Sequence, residues 1–306
     1  MSETNPPGRV LILGGGGMLG HKLVQAFAGD FETWTTIRGD AADYGRYGLL
    51  DGRRVIAGID AHNFDGLVAT FARIRPHAVI NCIGIIKQLS SASDPILSLT
   101  INSLLPHKLQ QLCHANEARL IHFSTDCVFS GRKGGYTDDD QSDALDLYGR
   151  SKFLGETSGP GALTIRSSVV GRELATTSGL VEWFLAQRGG VVRGYTRASF
   201  SGFTTRTMAR IVRSVLLDHP ALSGTVQISS APITKYDLLG LVRNAYAVPV
   251  EIVPDDTVQI DRTLDSSRFR TITGFVPPSW PEMIDDMASD STPYDQWRSA
   301  ADKAMA

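Results

Sequence analysis

The chain has 306 residues, 42% of them apolar, and a formal net charge of −2. That length can bury a sizeable core in one large domain or two closely joined ones. The near-neutral balance and the absence of a long basic run argue against a nucleic-acid surface, and no unbroken apolar run of about 18 residues marks a transmembrane helix.

Residues 1–8 are polar with two prolines and lack the apolar core of a signal peptide. Val10-Leu11-Ile12-Leu13 then reads as a buried strand, followed by Gly14-Gly15-Gly16-Gly17-Met18-Leu19-Gly20 and by helically spaced apolar residues from His21 to Phe27. Strand, glycine turn and helix together make a dinucleotide-binding hypothesis. Gly14 turns the chain off the strand, Gly17 lets backbone N–H groups approach a pyrophosphate, and Gly20 lets the helix pack close. The helix N-terminus offers unsatisfied N–H groups and partial positive charge to the phosphates. The spacing is Gly-x-x-Gly-x-x-Gly rather than the Gly-x-Gly-x-x-Gly of many dehydrogenases.

Further along, 33–37 and 54–60 read as strands and 64–71 as an amphipathic helix stopping near Pro76. Residues 78–84 form a buried strand, 97–115 a long helix and 119–124 another strand. Strands alternating with helices predict parallel βαβ units in a doubly wound sheet. A polar, acidic loop follows at 130–143, then a helix at 145–156 and a strand at 163–166. Beyond Gly171 the alternation weakens, with Gly189-Gly190 and Gly194 interrupting it. Residues 204–217 read as a helix, 225–228 as a strand able to return to the main sheet, and 233–246 as a helix. Pro249, Pro254, Pro277, Pro278 and Pro281 predict a loop-rich C-terminal stretch. The reading is an α/β, Rossmann-type chain with a smaller C-terminal lobe. Residues 8–170 plus about 204–230 form the nucleotide domain; 171–203 plus about 231–306 form the substrate lobe. Ligands of such sheets bind at the carboxyl ends of the strands, so the lobes should meet over that edge.

Tyr148-Gly149-Arg150-Ser151-Lys152 sets a tyrosine and a lysine one helical turn apart. A phenol keeps its proton at neutral pH, and a nearby ammonium favours the phenolate. The pair suits proton transfer to a carbonyl oxygen whose carbon receives a hydride. Ser124-Thr125-Asp126, at a strand end, supplies a hydroxyl for the same oxygen. The cysteines Cys82, Cys113 and Cys127 are odd in number and far apart, which is no disulfide framework, and no Cys/His spacing suggests a metal site. A cytoplasmic protein is the simplest reading.

With these motifs together the sequence resembles the extended short-chain dehydrogenase/reductases, and among them the dTDP-4-dehydrorhamnose reductase group. The likeness rests on the glycine motif, Val79-Ile80-Asn81-Cys82, Ile101-Asn102, Ser124 to Gly131, Tyr148 to Lys152 with Gly155-Glu156, and Ile165-Arg166-Ser167. A weaker echo is Leu264 to Phe269. The resemblance implies an NADPH-dependent reductase of a nucleotide-linked (dTDP or UDP) 4-keto-6-deoxy sugar. It implies Thr125 as catalytic hydroxyl, with Ser124 in reserve, Tyr148 as proton donor and Lys152 as ribose ligand. Gly14, Gly17, Met18, Leu19, Gly20, Arg38, Asp60, Asn81, Cys82, Ile83 and Gly84 would bind the cofactor, Asp60 at its adenine edge. Lys87, Arg172, Trp183, Phe203 and Arg268, with Phe200 and Arg262 nearby, fall where relatives bind sugar and diphosphate. The expected partners are the nucleotide sugar and a second copy of the chain in a homodimer.

Two other readings stand beside it. One is an epimerase or dehydratase of the same fold with tightly held NAD; dehydratase relatives carry Asp-Glu after the catalytic Thr, where this chain has Asp126-Cys127. The other is a non-catalytic, NADP-binding regulatory subunit. The second strand ends at Arg38, which favours a ribose 2′-phosphate, although Asp40 lies close enough to compete.

Overall fold

The computed structural model describes residues 8–49, 51–88 and 90–298, so most of the N-terminal leader lies outside the described residues. The first half alternates as the sequence predicts: β1 (Arg9–Leu13), α1 (Gly20–Phe27), β2 (Glu32–Thr36), α2 (Ala41–Gly45), β3 (Val55–Ile56), α3 (Phe64–Ile74), β4 (Ala78–Asn81), α4 (Pro95–Ser98), α5 (Leu105–Ala115), β5 (Arg119–Phe123), α6 (Leu147–Leu154) and β6 (Ala162–Arg166). The second half adds β7 (Val169–Val170), α7 (Leu180–Leu185), β8 (Val191–Phe200), β9 (Phe203–Thr204), α8 (Thr205–Leu217), β10 (Gly224–Gln227), β11 (Ile233–Thr234), α9 (Lys235–Ala245), β12 (Glu251–Arg262), α10 (Ser267–Thr273) and α11 (Trp280–Ala288).

Seven parallel strands form the main sheet in the order β10-β6-β5-β4-β1-β2-β3. The order reverses direction at β1, next to β4, so the crevice at the carboxyl ends of these two strands is the ligand position of a Rossmann fold. The apolar run of β1 serves both faces: Val10 and Ile12 join one buried cluster with Leu23 and Phe27, Leu11 and Leu13 the opposite one with Leu67 and Phe71. A strand buried on both sides reads as a continuous apolar run. β10 returns to the main sheet beside β6, as predicted.

The long helix of 97–115 is not uniform. Residues Leu99–Leu104 widen into a π-helical turn between α4 and α5. Pro106, near the start of α5, has no N–H to give to the Asn102 carbonyl in a regular α-ladder, which accounts for a register change there.

Four expectations are corrected. The C-terminal stretch is not loop-rich: β12 runs through Pro254, and α11 through Pro281. β12 is an edge strand of a small sheet, ordered β11-β8-β12, where a residue without a donor is tolerated. Pro281 sits in the first turn of α11, where its missing N–H costs nothing, behind a capping box of Ser279 and Glu282. The second correction is β8, whose sequence was interrupted by Gly194. That glycine is a packing device: a Cβ there would sit 2.8 Å from Ile252 and from the Tyr236 ring. Residues 54–60 also shorten to the two-residue β3, and the helix expected from 233 begins only at Lys235.

Candidate active site

A cleft of about 640 Å³ opens where the small sheet faces the carboxyl ends of β1, β4, β5 and β6. The glycine turn after β1, the loop from Cys82 to Lys87 after β4, and Ser124 to Cys127 after β5 form one side. Tyr195 to Phe200 of β8, Lys235 and the end of β12 form the other.

The glycine turn has the shape a pyrophosphate needs. Gly14 has φ +85°, and its turn is closed by Gly17 N–H donating to the Gly14 carbonyl at 3.0 Å. A Cβ on Gly20 would lie 2.2 Å from the Gly14 oxygen, and one on Gly15 would lie 2.0 Å from Thr35 Oγ1. Gly16, by contrast, meets nothing within 4 Å, which leaves the outer rim open. α1 has no side-chain cap and no acid in its first turn, so its positive end is unneutralised. These residues fit a dinucleotide. His21, buried behind the turn, bonds the Gly17 carbonyl through Nδ1 at 2.9 Å and the Tyr294 hydroxyl through Nε2 at 2.7 Å. Burial drives its pKa down to about 4, so the ring is a neutral strut at physiological pH.

α6 carries Tyr148 and Lys152 into the cleft. Asp146 caps it, accepting from Gly149 N at 2.8 Å. Two glycines let it seat deeply. A Cβ on Gly149 would lie 2.2 Å from the Cys127 carbonyl oxygen, and one on Gly155 would lie 1.9 Å from the Asn102 carbonyl oxygen in the π-turn. The Asn102 side chain ties the π-turn to its surroundings. It accepts from Ile85 N at 2.9 Å and donates to Ser151 Oγ at 3.2 Å, while Ser103 Oγ donates to the Ser151 carbonyl at 2.8 Å.

Burial pushes the Tyr148 phenol above its ordinary pKa, helped by Cys127, Asp126 and Asp146, while a hydrogen bond with Thr125 pulls the other way. Burial thus leaves Tyr148 a protonated acid at physiological pH. Lys152 donates to the Phe123 carbonyl at 2.6 Å; burial lowers its pKa to about 8, with Glu156 and Cys82 opposing. Beneath it His122 is fully buried with Nε2 unpartnered, and burial holds its pKa well below 6.5, so the floor under Lys152 adds no second cation. Thr125 Oγ1 caps the turn after β5, accepting from Cys127 N at 3.1 Å, and donates to Asp126 at 3.2 Å. The arrangement offers a carbonyl oxygen two hydroxyls, one of them a neutral acid beside a cation.

A family model, the RmlD substrate binding domain, matches residues 8–185. The chain belongs to this family. A probable low-salt glycan biosynthesis reductase of Haloferax volcanii is 26% identical over 82% of this chain and 85% of its own. A dTDP-4-dehydrorhamnose reductase of Mycolicibacterium smegmatis is 29% identical over 54% of this chain; the alignment spans 46% of that protein. The mouse methionine adenosyltransferase 2 subunit beta is 25% identical over 92% of this chain and 91% of its own. Among solved structures, the dTDP-4-dehydrorhamnose reductase of Bacillus anthracis in complex with NADP superposes with TM-score 0.74 at 18% identity, covering 92% and 98% of the two chains.

Within this RmlD-family frame the predicted residues fall into three groups. Gly17, Met18, Leu19, Cys82, Ile83, Gly84 and Lys87 line the cleft with Thr125, Tyr148 and Lys152. Gly14 and Gly20 shape the turn beneath it. Asn81 also reaches the cleft, but its side chain is spent on scaffolding, accepting from Ile83 N at 3.1 Å and bonding His122 Nδ1 at 3.1 Å. Arg38 and Asp60 lie exposed beyond β2, close enough that Arg38 helps hold the Asp60 carboxyl below its ordinary pKa, after the larger contribution of hydrogen bonds from His62.

The third group is not brought to the cleft. Arg172 is buried, paired with Glu182 at 2.6 Å and Asp295 at 2.5 Å, where it fixes the C-terminal segment. Phe203 is wholly buried in the core. Trp183 and Arg268 are exposed away from the lining. Ser124, unlike these, lines the cleft, and its hydroxyl donates to Glu156 at 2.7 Å, which Arg166 holds in a two-pronged pair. Sequence reasoning missed Lys235, Ser168 and His21. Lys235 and Ser168 sit outside any recognised motif, and His21 gives no sign in sequence that its ring turns back under the glycine turn.

Proposed function

We propose that this chain is an NADPH-dependent reductase of a nucleotide-linked 4-keto-6-deoxy sugar, acting in the cytoplasm. The observation that carries the reading is the convergence of Thr125, Tyr148 and Lys152 in one cleft with an uncapped helix N-terminus. Residues 8–170 with about 204–230 would hold the coenzyme, and 171–203 with about 231–306 the sugar nucleotide. The homodimer is part of the proposal. When bound, NADPH supplies the hydride. Thr125 and Tyr148 grip the substrate oxygen, and Tyr148 gives it a proton as its carbon is reduced. Lys152 orients the ribose and stabilises the phenolate that Tyr148 becomes, since an ammonium beside an oxyanion lowers its energy.

A dehydratase would need a second carboxyl after Asp126. Cys127 stands there, and burial pushes its thiol up to about 12, so it is no base at neutral pH. Purified protein incubated with dTDP-glucose should form no 4-keto-6-deoxy product by mass spectrometry; its appearance would contradict the reductase reading. A specific likeness favours the non-catalytic reading, the near full-length match to a protein named as a subunit. The intact Thr125, Tyr148 and Lys152 speak against it.

Coenzyme choice follows from the end of β2. Arg38 is exposed and makes no hydrogen bond or ion pair among the described residues. Asp40, its potential competitor, is committed as the cap of α2, accepting from Ala42 N at 2.7 Å. A hydrogen bond to a charged group is worth about 1.5–3 kcal/mol, or roughly ten- to hundredfold. NADPH should therefore exceed NADH by about that factor in kcat/KM, and Arg38→Ala should lose most of it through weaker NADPH binding. Paired coenzyme titrations on wild type and variant check this; equal use of both coenzymes by the wild type overturns the assignment.

A further inference from the structure

His21 is a buried titratable group that the reaction scheme does not use, and it stands between the glycine turn and the C-terminal segment. The Gly17 carbonyl accepts twice from this one residue, from its backbone N–H at 3.2 Å and from its ring Nδ1 at 2.9 Å. A carbonyl has no proton to give, so Nδ1 carries the hydrogen. Burial holds the ring neutral. Nε2 is therefore bare, and the buried Tyr294 hydroxyl donates to it at 2.7 Å. Asp290 Oδ2, at 3.5 Å from that hydroxyl, is a much weaker acceptor for it. In a neutral imidazole, the partner of one nitrogen decides where the proton sits. Tyr294 thus fixes the tautomer that Gly17 needs. Its own place is set from several sides. The two rings cross edge to face with centroids 5.6 Å apart, Asp290 pairs with Lys22, and Asp295 pairs with Arg172 at 2.5 Å.

The peptide plane carries this effect outward. In a trans peptide the carbonyl oxygen and the following N–H point opposite ways. With the Gly17 oxygen turned in to His21, the Met18 N–H is turned toward the cleft, where Gly17 and Met18 are lining residues. The other tautomer would set a bare Nδ1 lone pair against the Gly17 oxygen, and their repulsion would rotate that peptide out of line. Resting on the coenzyme half of the reductase reading, we infer that His21 and Tyr294 are positioning residues for the coenzyme: through the His21 ring, the C-terminal segment aims the Met18 N–H at the coenzyme's pyrophosphate.

The test is fluorescence titration of NADPH and NADH against wild type, Tyr294→Phe, His21→Asn and the double variant. Nitrogen NMR reads the His21 ring, whose signals are assigned by their absence from His21→Asn. Asparagine can place an amide N–H near the position of Nδ1 and has no tautomer to choose. Tyr294→Phe should weaken both coenzymes alike, because they share the pyrophosphate, by about fivefold or more, on the order of one hydrogen bond to a charged group. The NMR signals should show the ring proton moving from Nδ1 to Nε2. In the His21→Asn background the same substitution should change affinity by less than about twofold, since the coupling runs through the imidazole. Loss of C-terminal packing alone would weaken binding equally in both backgrounds and leave the proton on Nδ1; either result overturns the relay. A Tyr294→Phe protein that binds within about twofold of wild type overturns it too. No coenzyme binding by wild type would overturn the coenzyme reading and the relay together, whereas tight wild-type binding with any of the preceding contrary results overturns the relay alone.

Discussion

Tyr148→Phe should lower kcat by about 10²–10⁴, the contribution of a positioned general acid, with NADPH affinity nearly unchanged. Reduction puts a hydride on the carbonyl carbon and leaves a developing alkoxide that must be protonated in the same site. Tyr148 is the group in the cleft built to do this. Burial raises its pKa, so it carries its proton at every physiological pH, and Thr125 shares a hydrogen bond with it. Phenylalanine keeps the ring and loses only the proton. The Gly149 and Gly155 contacts that seat α6 are untouched, so the fold should be indifferent. A stopped-assay measurement of kcat beside an NADPH fluorescence titration checks the split. Retention of most of the turnover would assign the proton to another group.

Gly155→Ala should be the most damaging single-methyl change in the chain's catalytic half. The added Cβ would meet the Asn102 carbonyl oxygen at 1.9 Å and its carbon at 2.9 Å. Gly155 has φ −93°, which alanine adopts freely, so the cost is contact and not backbone strain. Both neighbours are backbone, pinned by the Asn102 and Ser103 hydrogen bonds to Ser151, and cannot rotate aside. Overpacking of this kind costs about 1–3 kcal/mol and sometimes more. Relief requires α6 to back out of the cleft, and a shift of about 1 Å at reacting groups can cost roughly 10²-fold in rate. A lowered melting temperature and a loss of kcat should therefore appear together. Gly240→Ala, in α9 with nothing within 4 Å of its Cβ, is the control. It should stabilise by up to about 1 kcal/mol through helix propensity alone. A Gly155→Ala protein as stable and active as wild type would refute the seating of α6 against the π-turn.

Most of the main sheet was legible in the sequence, because each strand there is short, apolar and bounded by turn residues. β1 shows why: Val10, Leu11, Ile12 and Leu13 are all buried, so no alternation is needed to recognise them. The small sheet was not legible. β8 alternates exposed Val191, Arg193 and Tyr195 with buried neighbours, but Gly194 and the preceding glycines masked the pattern. β12 hides behind Pro254, acceptable only because the strand lies at an edge. The candidate trio was readable from spacing and order, since Tyr148 and Lys152 sit one turn apart on α6 and Thr125 follows just past the end of β5. The substrate wall was not. Arg172 looked like a ligand for phosphate, yet nothing in its local sequence reveals Glu182 or the distant Asp295. Lys235 looks like an ordinary helix-opening residue until Phe200, Arg262 and Asp126 are brought around it. Both errors concern charges whose partners are set by tertiary contact.

The central claim is hydride delivery to a sugar ketone with a proton from Tyr148, and isotope transfer tests it most directly. NADPH carrying deuterium in both positions at nicotinamide C4 would be incubated with the protein and dTDP-4-keto-6-deoxyglucose or dTDP-4-keto-rhamnose. The account predicts one deuterium on C4 of the product sugar by NMR, in step with coenzyme oxidation, for at least one of these ketones and not with Tyr148→Phe on the same timescale. Coenzyme bound tightly but never oxidised by either ketone, or a product with no deuterium at C4, would contradict it.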